Sequence, residues 1–252
     1  MQALTLPARR GWRWIVDGYL IYSKNRLMLS LIVFAYWLMM MSVNSVPVIG
    51  QVIATVCLPA LSVSMMNAFR RVEQGGVLAP QMLFSGFTAN LQTLLVLGGI
   101  YLGAALAIFS ISALVDDGVL FNLFVIGGQF DSSLSTSAVL LSAQIATALF
   151  FPLVMAYWYA PVLAAWHGHS PIKALFFSFV ACLRNWRAFL VYSLGLLVCA
   201  LAMLMLSAMI SALLAGAGRL SFMVVGFIAM PIVYASFYVS YRDVFVIVDE
   251  NV

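Results

Sequence analysis

Charge is what this chain has least of. Of its 252 residues, 8% are charged and 65% hydrophobic, whereas ordinary soluble domains carry about 25% charged residues. So few polar groups could not form the skin that a soluble core of this size needs. A soluble globular fold is thereby excluded, and lipid is the remaining solvent. The length suits one membrane domain over residues 1–252, with no room for a separate soluble catalytic domain.

Cysteine is scarce as well. Cys57, Cys182 and Cys199 stand far apart with no CxxC spacing, which argues against a zinc site or a disulfide framework and leaves them as small apolar residues. The two histidines, His167 and His169, flank Gly168 with no third ligand near. Met39, Met40 and Met41, and Met203, Met205 and Met209, are thioethers that suit soft metals, but they serve equally as apolar side chains. No metal or cofactor is expected. No Ser-His-Asp set, Gly-rich phosphate loop or pair of carboxylates occurs in a plausible site, so no catalytic residue is assigned and the protein is expected not to be an enzyme. The basic residues are too sparse for nucleic acid. No Asp, Glu, Lys, Arg or His falls in the middle of a predicted span, which argues against an ion-coupled pump.

What the chain does have is long uncharged runs. Leu27 to Phe69 carries no charge over 43 residues, room for two helices of about 20 residues each and a turn. The turn is NSVPVIG at 44–50, whose Asn, Pro and Gly break helices. The reading is all-α, a membrane bundle of six spans near 27–43, 48–69, 91–114, 138–166, 186–214 and 220–241. Ahead of the first span, Arg10, Arg13, Asp17 and Lys24 follow helical spacing, with Trp12, Ile15, Val16, Tyr19 and Leu20 on another side. This predicts an amphipathic helix on the membrane surface, Trp12 and Trp14 at headgroup level and an Arg13–Asp17 ion pair. VLFNLFVIGG, within the acidic connection 116–136, is too short to span.

The spans group into three pairs, over about 7–76, 80–169 and 170–245. Leu83, Phe84, Phe87, Leu102 and Gly103 recur 92 places on as Leu175, Phe176, Phe179, Leu194 and Gly195, and Lys24-Asn25 matches Arg184-Asn185. Each pair ends on a helix bearing a proline: Pro59, Pro152 and Pro231. An interior proline removes a hydrogen bond and bends a helix. The bends either shape packing or line a cavity beside Gln144. Gly99 and Gly103 mark a face of the third span that another helix could approach. Eleven of the twelve basic residues lie at the N-terminus, the 70–80 and 167–187 turns and the C-terminus, which predicts both ends in the cytoplasm.

GYLIYSKNR, PALSVSMMNAFRRVEQGG, APVLAAWHGHSPIKALFFSFVACLRNWRAF and PIVYASFYVSYRDVF together resemble an uncharacterised family of six-span proteobacterial inner-membrane proteins. The layout is also loosely similar to the membrane domain attached to some bacterial glycerophosphodiester phosphodiesterases, without their catalytic barrel. The resemblance implies fold and location, not activity. Two functions follow as expectations: handling or transport of lipid or another apolar molecule, or a structural subunit that assembles with other membrane proteins. For the first, Lys24, Asn25, Arg26, Arg184, Asn185 and Arg187 are the expected headgroup contacts, near anionic lipid where the chain enters the membrane.

Overall fold

The computed structural model describes residues 3–126, 136–213 and 218–245. The acidic connection beyond 126, most of the AGAGR turn and the tail from 246 lie outside them. Among the described residues the chain is all-helical: α1 (Arg10–Lys24), α2 (Arg26–Asn44), α3 (Ile49–Glu73), a 3-10 helix (Pro80–Thr88), α4 (Leu91–Asp116), the short turn α5 (Val119–Phe121), α6 (Thr136–Tyr157), α7 (Ala160–His167), α8 (Pro171–Arg184), α9 (Trp186–Leu213) and α10 (Gly218–Val244). Among the described residues six stretches are long and apolar enough to cross a membrane: α2, α3, α4, α6 with α7, α9, and α10. They are the six read from the sequence. Much of their surface faces outward, as in Leu197, Val198, Leu201 and Met205 of α9, which suits side chains solvated by acyl chains.

The chain divides into two compact units. In the first, formed by 1–39, 62–86 and 181–252, α1 packs along α9 and α10. It is the helix expected from Arg10 onward, but its role differs. Gly11, Trp14, Ile15, Gly18, Ile21 and Tyr22 are buried, whereas Trp12, Tyr19 and Leu20 are exposed. Trp14, expected at headgroup level, is 0% exposed and sits edge-on to Phe189 and Tyr192, with centroids 5.3 and 5.6 Å away. The cause is glycine at positions 11 and 18, two turns apart. A Cβ on Gly11 would lie 2.0 Å from the Ala188 carbonyl oxygen, and one on Gly18 would lie 2.6 Å from the Ser236 nitrogen. The helices meet at backbone contact, which a hydrophobicity pattern does not encode. Asp17 pairs with Arg10 at 3.9 Å, not with Arg13.

In the second unit, 40–61 and 87–180, α4 packs on α6 and α7. Gly98 of α4 lies where a Cβ would meet the Val56 carbonyl at 2.1 Å. The α4 end is closed by Asp116, whose buried carboxylate accepts from the Gly118 and Leu120 N–H groups and from the Ser142 hydroxyl at 2.8 Å. Ile108, Leu120 and Ala146 form a small core beside it.

The fourth span, expected as one helix, is broken between Tyr157 and Ala160. Pro161 explains the break: it has no N–H to offer the Tyr157 carbonyl and clashes with it. Ser178 of α8 bridges the gap, accepting from the Tyr159 N–H at 2.9 Å and donating to the Met155 carbonyl at 2.8 Å. By contrast α3, α6 and α10 continue through Pro59, Pro152 and Pro231. The Pro59 and Pro231 rings are buried, but Pro152 is exposed, as is Gln144.

Candidate functional site

Three spans open directly after an asparagine, with different backbone angles at Asn25 and Asn90. Asn25, Asn90 and Asn185 each sit at the break before a span, and each carbonyl accepts the N–H four residues on: Leu29 at 3.1 Å, Leu94 at 3.2 Å and Phe189 at 3.0 Å. Asn suits these positions because it tolerates unusual backbone angles and its amide satisfies nearby backbone. Asn90 adopts left-handed angles, accepts from Thr93 and donates to the Ala164 carbonyl. It was not among the expected site residues, and its only signal is an Asn directly ahead of an uncharged run.

Asn185 departs from its expected headgroup role. It is buried, accepts from the Leu6 N–H at 2.8 Å and donates to the Leu4 and Ala181 carbonyls. Its amide is consumed in pinning the N-terminal segment to the start of α9. Asn25 is partly buried. The cations beside these asparagines behave differently. Lys24, Arg26, Arg184 and Arg187 are all exposed. Lys24 reaches the Glu73 carbonyl at 3.3 Å, Arg184 donates to Thr5 Oγ1 at 3.2 Å, and Arg187 lies 5.4 Å over the exposed Trp186 ring.

A second set of cations turns inward. Arg10 donates to Asp243 Oδ2 at 2.7 Å, and the Trp14 indole N–H shares that oxygen at 3.1 Å. Arg242 donates to Asp243 Oδ1 at 3.2 Å and to Glu73, which also accepts from the Tyr238 hydroxyl. Asp243 is buried. Its hydrogen bond to Arg10 pushes that guanidinium pKa further up, against the opposing effect of burial. The sequence placed these groups at the ends of helices without pairing them. Their separations of 169 and 233 residues explain why.

The end of α3 forms a recess of about 420 Å³ lined by Asn67, Arg70, Arg71, Gln74, Val77 and neighbours. Gly75 has left-handed angles, its N–H bonds the Val72 carbonyl, and the Gly76 N–H bonds the Arg71 carbonyl at 2.8 Å. This is the paired cap that ends helices at glycine. A Cβ on Gly76 would strike the Arg71 stem, so the bare glycine leaves that side chain its path over the turn.

His167 and His169 lie with ring centroids 6.1 Å apart. Burial, and then the nearby Lys173 charge, lower the His169 pKa. Among the described residues no three potential ligands gather into a metal site.

Among the described residues, six apolar spans whose charged side chains lie toward their ends define a multi-pass helical membrane protein. A probable inner membrane protein of Burkholderia thailandensis is 39% identical over 256 residues, covering 97% of this chain and 94% of that relative. The chain belongs to the family of that protein, and its membrane is the inner membrane. No family model and no solved structure matches it.

Proposed function

We propose that this is a non-enzymatic protein that engages anionic phospholipid at the cytoplasmic leaflet, with both termini in the cytoplasm. The observation that carries this is the sorting of its cations. Arg10 and Arg242 are spent on internal carboxylates, while Lys24, Arg26, Arg184 and Arg187 stay exposed where spans begin. Exposed Trp12 and Trp186 accompany them, as interfacial residues do. Each such cation near an anionic surface contributes about 1 kcal/mol. The three-pair repeat belongs to the same proposal, supported by the asparagine that precedes a span in each pair. So does the likeness to the phosphodiesterase-linked membrane domain, which is carried for layout alone.

Changing Lys24, Arg26, Arg184 and Arg187 together to glutamine should lower the phosphatidylglycerol that co-purifies in mild detergent, counted by native mass spectrometry. The variant should insert as well as the parent. Undiminished lipid in a correctly inserted variant would reject the reading. For orientation, reporter fusions after residues 116 and 216 should be active in the periplasm, and those after 75 and 169 in the cytoplasm. The opposite pattern at any two sites would overturn the assigned topology.

A second reading, an assembly subunit for other membrane proteins, draws on Gly99 and Gly103. Their face of α4 is open, with nothing within 4 Å of an added Cβ.

A further inference from the structure

We propose that the recess at the end of α3 is a binding site for a phosphate group, the lipid source being the phosphodiester headgroup of an anionic phospholipid. This rests on the lipid reading above and gives it an address. Arg70 and Arg71 both line the recess, and Asn67 and Gln74 add carboxamides. Guanidinium forks match phosphate oxygens in pairs, and carboxamides can donate to the remaining oxygens or to headgroup hydroxyls. Among the described residues no acidic side chain lines it. The carboxylate nearest in sequence, Glu73, is held by Arg242 and Tyr238, and Arg71 makes no ion pair among the described residues.

A helix C-terminus ordinarily repels anions through its bare carbonyls. Here the Arg70, Arg71 and Val72 carbonyls accept from the N–H groups of Gln74, Gly76 and Gly75, so the side chains set the local charge. Asn67 is held in place by donating to Ser85 Oγ at 3.1 Å. One wall is apolar. Val77, 84% exposed, stands on it with Ala79 and Met82. A purely aqueous anion has no use for that wall, whereas the glycerol and upper acyl carbons of a lipid would cover it.

The full chain, reconstituted in phosphatidylcholine nanodiscs, is titrated with phosphatidylglycerol, and in a separate arm with inorganic phosphate. Arg71→Gln, at an exposed position, should weaken phosphatidylglycerol binding about tenfold, the factor one charge-assisted hydrogen bond carries. Gly76→Ala keeps the net charge, yet should weaken binding too, because its methyl displaces the Arg71 stem. Equal weakening by both variants in the lipid arm supports the lipid source. Binding of phosphate alone, lost in Arg71→Gln, supports the site with a soluble ligand. No change by Arg71→Gln and Gly76→Ala in either arm overturns the recess. Should the four-cation glutamine variant still shed lipid in that case, the broader reading survives and only the recess falls.

Discussion

Alanine at Gly18 should undock α1 from α10. The added methyl would lie 2.6 Å from the Ser236 nitrogen and 2.8 Å from its Cα. Backbone atoms inside a helix cannot retreat as a side chain can, so the whole helix must move. Movement forfeits the seat of Trp14 and the Arg10–Asp243 bond together. Overpacking of this kind costs about 1–3 kcal/mol and sometimes more, and Gly11→Ala, facing the Ala188 carbonyl, should cost at least as much. Alanine at Gly99 or Gly103 on α4, where an added Cβ meets nothing within 4 Å, should be neutral or gain up to about 1 kcal/mol of helix propensity. Thermal unfolding of the detergent-solubilised protein separates the two groups. If all four glycines respond alike, backbone contact is not what docks α1. A change of oligomer size in the α4 variants alone would favour the assembly reading.

Asp243→Ala should be comparably damaging for a different reason. It leaves two guanidiniums and the Trp14 indole N–H aimed at a buried acceptor that is gone. Removing one member of a buried charge group costs about 3–5 kcal/mol. Arg10 and Arg242 are each more than a third exposed, so water compensates in part and about 2–3 kcal/mol is the expected loss. Asp243→Asn keeps one acceptor oxygen and should lose less. The unfolding midpoint in detergent reads both, and an Asp243→Ala protein as stable as the parent would remove this network from the account of how α1, α3 and α10 are joined.

These two sites also mark where the sequence stops being legible. Spans were readable because a bilayer demands about 20 apolar residues at a stretch, a local requirement written in consecutive positions. Helix ends were readable for a similar reason: Asn25 and Asn185 stand beside cations ahead of apolar runs, and Gly75-Gly76 follow Arg70-Arg71. A helix from Arg10 onward was legible, yet its inward face was not. Apolar residues on α1 meet lipid or protein with equal ease, so hydrophobicity cannot say which side turns inward. Glycine positions decide that, and they matter only once the neighbouring backbone is in place.

By itself, then, the sequence determined the class of the protein, its six spans and the presence of a helix before them, because each depends on composition or on residues close together along the chain. Tertiary structure alone decided which cations are free. Arg10 and Arg184 look alike in the sequence, each a basic residue near the end of a helix. One is bound to a carboxylate 233 positions away, and the other is left at the surface. It also decided that Asn185 serves the backbone of Leu4 and Leu6, that Pro161 breaks its span where Pro152 does not, and that Arg70, Arg71, Asn67 and Gln74 share one recess. The physical reason is common to all of these. Charge pairing, capping and cavity shape depend on distances through space between groups far apart in the chain, and those distances exist only after the helices have packed.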